Sequence, residues 1–166
     1  MLKYLKTDVV FQEIPSEMSL AIAISGCTIH CVGCHSRDLW EDKGTPLDQQ
    51  CLEVLLQENQ GITCLLLMGG EHDIDALIEL FMYAHKRLKT AWYCGLDMIP
   101  KDKTGILQYL DYIKLGHYDQ ELGGLDSPTT NQRLYKVERG ILSSDITHLL
   151  QKKNHEGQDT AVETLD

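Results

Sequence analysis

Leu20-Ala21-Ile22-Ala23-Ile24-Ser25-Gly26-Cys27-Thr28-Ile29-His30-Cys31-Val32-Gly33-Cys34-His35-Ser36 is the run in which a structural and a chemical signal meet. Residues 20–24 are continuously apolar, of strand length and closed by Ser25-Gly26, which predicts a buried strand. Three cysteines follow within eight positions. The cysteine loop therefore starts at a strand's C-terminal end, the edge at which α/β architectures collect their ligands.

The same alternation continues downstream. Leu47, Cys51, Leu52, Leu55 and Leu56 share one helical face, with Pro46 suited to the start and Gly61 to the stop. Residues 64–68 predict a second buried strand, broken by Gly69-Gly70. Ile74, Leu77, Ile78, Phe81, Met82, His85 and Leu88 form the next helical stripe, with Asp73 as its N-cap. Residues 91–96 predict a third strand and 112–115 a fourth, ending at Gly116, with a short helix between them; 133–138 predict a later edge strand. The turn-rich run 123–131 predicts a surface loop. Strands alternating with helices predict an α/β fold with a parallel sheet. One domain is expected over 1–151, followed by a flexible tail over 152–166, where large apolar residues are few.

Of 166 residues, 43% are hydrophobic and 24% charged, as in an ordinary globular chain. Fifteen basic residues against 25 acidic ones give a net charge of −10, whose field repels phosphate backbones, so no nucleic-acid partner is expected. No charge falls between Met18 and Ser36, but the apolar run there is too short for a bilayer. The start, Met1-Leu2-Lys3-Tyr4-Leu5-Lys6, lacks the pattern of a secretory signal. A cytoplasmic protein with no membrane contact is expected. In that compartment six cysteines predict metal ligands, catalytic groups or buried hydrophobes rather than disulfides.

Cys27, Cys31 and Cys34 are spaced C-x3-C-x2-C. Three thiolates in one loop can converge on a soft centre, but iron–sulfur and tetrahedral zinc sites normally take four protein ligands. If the fourth position stays open, one iron of a [4Fe–4S] cluster can bind an outside ligand and become a reaction site. A structural zinc site completed by His30 or His35 is the alternative, since mixed cysteine and histidine ligation suits zinc. Met68-Gly69-Gly70-Glu71 should lie on the same sheet edge. Its glycines let backbone approach a ligand closely, and its carboxylate can hold an ammonium group.

These two motifs together resemble the radical S-adenosylmethionine superfamily, whose C-x3-C-x2-C loop follows the first strand of a partial or full (β/α) barrel. The resemblance implies an α/β fold of the shortened partial-barrel type and a [4Fe–4S] cluster on Cys27, Cys31 and Cys34. It also implies S-adenosylmethionine bound at Val32, Gly33, Gly69, Gly70 and Glu71, with the glycine motif on its amino group. The superfamily often carries an aromatic residue directly after the second cysteine. Val32 stands there instead, which removes a ring contact to adenine.

The short length, Cys34-His35-Ser36 and the run Ser127-Pro128-Thr129-Thr130-Asn131-Gln132-Arg133 resemble, more narrowly, the activases of anaerobic (class III) ribonucleoside-triphosphate reductase. That resemblance covers about residues 11–137. It implies an enzyme that cleaves S-adenosylmethionine reductively and abstracts a hydrogen atom from a glycine of the large reductase subunit. An electron donor such as a flavodoxin or ferredoxin is implied as well. A shortened barrel leaves one side open to a partner's glycine loop. A radical enzyme acting on another glycyl radical enzyme or a small molecule is one alternative, and a zinc-stabilised binding module is another.

The remaining candidates have plainer roles. Cys51 and Cys64 are expected in the core, as is Cys94, with the cofactor pocket as its alternative. His30 and His35 either hydrogen-bond the cluster or face solvent. His85 is expected to be a core histidine, while His72, His117, His148 and His155 show no pattern. Asn131, Gln132 and Arg133 either contact a partner or cofactor, or hold their loop against the sheet. Arg37 and Asp38 are expected to cap the following turn.

Overall fold

A computed structural model describes residues 1–151; the tail expected over 152–166, with His155, lies outside the described residues. In chain order the strands are β1 (Lys3–Val10), β2 (Ser19–Ile24), β3 (Thr45–Pro46), β4 (Cys64–Met68), β5 (Lys89–Tyr93), β6 (Tyr112–Leu115), β7 (Arg133–Glu138) and β8 (Ile141–Asp145). Two α-helices, α1 (Gln49–Glu58) and α2 (Ile74–Ala84), connect the central strands, and the short helix expected before β6 is the 3-10 segment Lys101–Tyr109. All eight strands join one sheet in the order β3-β1-β2-β4-β5-β6-β7-β8.

The expected parallel sheet is the centre of this sheet: β2, β4, β5 and β6 pair in parallel. Antiparallel strands flank it on both sides, so the whole is mixed. Residues 133–138 do form a strand, but not the edge. The Arg139-Gly140 turn, with both residues at positive φ (54° and 72°), returns the chain as β8. Every residue of β8 is exposed, so its composition carries no burial pattern to read. β1 is half-exposed and interrupted by charged residues, and so was equally silent.

Helix starts follow from side-chain caps. Asp73 caps α2 as expected, accepting from Ala76 N at 3.2 Å. At α1 the cap is Asp48, which accepts from Cys51 N at 2.8 Å, and Pro46 belongs to β3 instead. The buried stripe of α2 is Ile74, Leu77, Leu80, Phe81 and Ala84. Met82 turns to solvent, and so does His85, which is not a core histidine. It follows the last helical residue and rests edge-on against Tyr109, ring centroids 6.1 Å apart.

Apolar residues alternate between the two faces of the sheet. Leu20, Ile22, Ile24, Leu65, Leu67, Trp92 and Ile113 pack against the helices. Ala21, Cys64, Leu66, Ala91, Tyr112 and Leu134 pack on the other face, under Ile14 and Ile146. Cover on both faces is why the central strands read as unbroken apolar runs. At the N-terminal ends of the parallel strands, buried Glu17 accepts hydrogen bonds from Lys89 Nζ (2.6 Å), Thr63 Oγ1 (2.6 Å) and Tyr112 OH (3.0 Å). The opposite ends carry the cysteine loop and the glycine motif.

Candidate functional site

Cys27, Cys31 and Cys34 are free and half-buried in the loop after β2. The backbone of residues 39–41 holds this loop in place: Gly26 N donates to Glu41 O at 3.2 Å and Cys27 N to Leu39 O at 2.9 Å. Cys34 N donates to Cys31 O at 3.1 Å, and Ser36 N to Cys34 Sγ at 3.3 Å. Burial pushes the Cys27 thiol up, and the backbone amides of Ile29 and His30 pull part of that shift back. Amides aimed at cysteine sulfur are among the groups that tune iron–sulfur clusters. His30 sits at φ 52°, a left-handed backbone that few non-glycine residues adopt.

The neighbours of the loop differ partly from expectation. Arg37 and Asp38 lie within the 3-10 turn Arg37–Leu39, which has no side-chain cap. Arg37 lies over the Trp40 ring at 5.6 Å and Asp38 pairs with Lys6 at 2.5 Å. His30 stacks on Trp40, centroids 4.5 Å apart, and His35 Nε2 lies 3.2 Å from Tyr118 OH. The exposed His72 ring lies over Gly26, where a Cβ would come within 3.2 Å of it.

Glycines bring the second motif against the first. Gly69 and Gly70 both have φ of 91°. A Cβ on Gly70 would meet Leu77 at 3.0 Å and Ile24 at 3.2 Å, so no side chain fits where the chain folds back over β2. Glu71 Oε1 accepts from Gly95 N. A Cβ on Gly95 would strike both Ile29 of the cysteine loop (2.9 Å) and Glu71 (3.3 Å), which puts the three elements in contact. The other carboxylate oxygen, Glu71 Oε2, is buried and has no hydrogen-bond partner.

Two further buried groups face this centre. Cys94 is fully buried, and desolvation pushes its thiol up to about 12. Lys114, near the end of β6, is also buried, with Nζ donating to Gly116 O at 3.0 Å and lying over the Tyr93 ring at 5.8 Å. Burial holds its ammonium below the ordinary lysine value, against the opposing pull of Cys94, Glu71, Cys31 and Cys27. The signal for Lys114 was present in the sequence, as one charge inside the apolar run 112–115. Asn131 and Gln132 do not reach the cysteine loop; they brace the turn after β6, donating to His117 O (3.0 Å) and Gly116 O (3.2 Å). Arg133 pairs loosely with Asp145 at 3.9 Å.

A family model described as a 4Fe-4S single cluster domain matches residues 18–137, from the first parallel strand to the end of β7. The chain belongs to this 4Fe-4S single cluster domain family. No curated protein and no solved structure matches it.

The donor set of this iron–sulfur domain suits its cluster. Three thiols share one loop, beside amide donors and an acid with an unsatisfied oxygen. Among the described residues, no group of three or more His, Cys, Asp or Glu side chains is arranged to hold a single metal ion. In a cubane each cysteine takes a different iron, so its sulfurs need not crowd around one point. A concavity of about 960 Å³ beside Gln108 and Arg139 lies at the other end of the parallel strands. A smaller cleft of about 530 Å³ adjoins the loop at Cys31 and Val32. No helix among the described residues is long and apolar enough to cross a membrane.

Proposed function

We propose that this iron–sulfur domain is a radical S-adenosylmethionine enzyme that activates a class III ribonucleotide reductase. The observation that carries the proposal is Glu71: a half-buried acid whose Oε2 is buried with no hydrogen-bond partner, after a strand end beside the three-cysteine loop. A buried acceptor without a donor is costly, which makes the site complete only when a donor arrives. Across from it, the buried Lys114 ammonium has one carbonyl as its hydrogen-bond partner. A carboxylate and an ammonium near enough for Glu71 to act on the Lys114 charge suit a zwitterionic amino-acid group, with the ligand's ammonium on Glu71 and its carboxylate on Lys114.

On this reading Cys27, Cys31 and Cys34 hold three irons of a [4Fe–4S] cluster and leave the fourth open. A [4Fe–4S] cluster held by these three thiolates would supply one-electron reducing chemistry for the cleavage of S-adenosylmethionine, and through it the removal of a hydrogen atom from a partner glycine. The chain contributes the rest: Gly69 and Gly70 admit the ligand to the backbone, Glu71 and Lys114 orient it, and the apolar layers on either side keep water out. The four parallel strands then serve as a shortened partial (β/α) barrel. An electron donor such as a flavodoxin or ferredoxin is the electron source, and the reductase large subunit the macromolecular substrate.

Anaerobic reconstitution with iron and sulfide, reduction, and addition of S-adenosylmethionine should yield 5′-deoxyadenosine, and Cys31→Ala should yield none. With the reductase present, a glycyl radical signal should appear in electron paramagnetic resonance. Turnover by Cys31→Ala would remove the cluster from the mechanism. Cleavage without a glycyl radical on any reductase would move the substrate to another protein or a small molecule.

A further inference from the structure

Trp40 is a half-buried indole whose position hydrogen bonding of its ring does not explain: Nε1 is buried and has no acceptor among the described residues. The backbone on either side fixes it instead. Leu39 O takes the amide of Cys27 at 2.9 Å and Glu41 O that of Gly26 at 3.2 Å, which fastens both neighbours of Trp40 to the start of the cysteine loop. Trp40 N donates to Arg37 O at 3.1 Å, and the Arg37 guanidinium lies over the ring at 5.6 Å.

From this base the ring reaches the middle of the loop. His30 is exposed, yet its imidazole lies against Trp40 with centroids 4.5 Å apart and planes 23° from parallel. His30 is also the one non-glycine residue between Cys27 and Cys34 with a positive φ, 52°. Its own Cβ disfavours that backbone, which persists only where the surroundings hold it. Among the described residues the His30 ring makes no hydrogen bond, which leaves the stack on Trp40 to do so.

The consequence falls on Cys27, whose sulfur accepts hydrogen bonds from the amides of Ile29 and His30. The φ of His30 sets the tilt of the peptide that carries its own amide, so a change in that angle aims this donor elsewhere. Hydrogen bonds to a ligand sulfur favour the more negative, reduced state of an iron–sulfur cluster and raise its potential. We infer that Trp40 is a positioning residue for the cluster: by stacking on His30 it holds the left-handed backbone that keeps these amides on the Cys27 sulfur, and so holds the cluster at a higher potential. The inference rests on the three-cysteine cluster of the reading above, and on neither its cofactor nor its substrate.

The test is the midpoint potential of the cluster-loaded full chain, read anaerobically from the visible absorption in a mediated redox titration without S-adenosylmethionine. Trp40→Leu should lower it by about 59 mV, a tenfold loss in the equilibrium constant for one-electron reduction. Trp40→Phe keeps a ring and drops the N–H, and should stay within about twofold of wild type in that constant. His30→Ala removes the stack but keeps a Cβ, so it should fall as far as Trp40→Leu. His30→Gly loses the same ring, but glycine keeps a positive φ without a clamp and should stay within about twofold of wild type. This histidine pair decides the matter even if Trp40→Leu does not fold.

Equal shifts in His30→Ala and His30→Gly would place the effect in the imidazole and overturn the inference. So would Trp40→Phe falling as far as Trp40→Leu, which would make the indole N–H the group that acts on the cluster, or Trp40→Leu keeping the wild-type potential. A wild type that shows the expected pattern of potentials but cleaves no S-adenosylmethionine would sink the proposed reaction and leave this inference standing. A wild type that assembles no cluster would sink both.

Discussion

Burial separates the six cysteines into groups with different chemistry. Desolvation pushes Cys64 and Cys94 to about 12, so neither is a thiolate near neutral pH. Alkylation of the native, metal-free protein at pH 8 should therefore mark Cys27, Cys31 and Cys34 first, and Cys64 and Cys94 only after denaturation, as peptide mass spectrometry would read. Glu71→Gln keeps the shape of the side chain and removes its charge. It should weaken S-adenosylmethionine binding by roughly tenfold or more, the worth of a charge-assisted hydrogen bond, while the visible absorption of the cluster stays as in wild type. Cys27, Cys31, Cys34 and Glu71 were legible in the sequence because their spacing alone marks them. Lys114 showed in the sequence only as a charge inside an apolar run, and Tyr118 gave no signal, because neither belongs to a spaced motif and only folding brings them beside the cysteine loop.

Among the elements, α2 depends most visibly on a few residues at its start. Gly70 has a left-handed backbone and no room for a Cβ beside Leu77 and Ile24, and Asp73 caps the helix three residues later. Gly70→Ala should cost more than about 1 kcal/mol, since it adds both backbone strain and a clash. Asp73→Ala should cost about 1 kcal/mol through the lost cap. Urea denaturation of each variant checks both values, and a neutral Gly70→Ala would mean that the turn can relax. The central strands and α2 were readable from apolar runs and periodicity. β1 and β8 were not, because a strand with an exposed face or an exposed edge needs no continuous apolar run. His85 was misplaced for a related reason: helical periodicity was carried past the end of α2 at Ala84, through His85 to Leu88, where the chain has already left the helix.

Across the whole molecule, the two ends of the parallel sheet do different work. The N-terminal ends are closed by Glu17. Burial pushes that carboxyl up, but the hydrogen bonds from Lys89, Thr63 and Tyr112 outweigh burial and leave it below its ordinary value. The sign of the pH effect follows: a lowered folded pKa gives stability that is fully present above the unfolded carboxylate range and lost as pH falls through the folded value. The urea midpoint should fall on acidification below about pH 4.3, and part of that fall should be missing in Glu17→Gln. An identical acid profile in the variant would assign the loss to other carboxylates. The C-terminal ends, by contrast, keep an unsatisfied acid and a buried base, which suits a site completed by a ligand.

Sequence alone determined the cysteine spacing, the glycine motif and the apolar runs, because each depends on residues close together in the chain. It thereby located the three-cysteine loop at a strand end and predicted the parallel centre of the sheet. Only the tertiary structure decided that the sheet is mixed, since pairing direction depends on how distant segments meet. It also decided that Glu71 keeps one oxygen without a donor, that Lys114 faces the same centre, and that Asn131 and Gln132 brace the turn carrying Tyr118. Hydrogen-bond satisfaction and desolvation are properties of the assembled neighbourhood, and these residues come from strands and turns far apart in the chain.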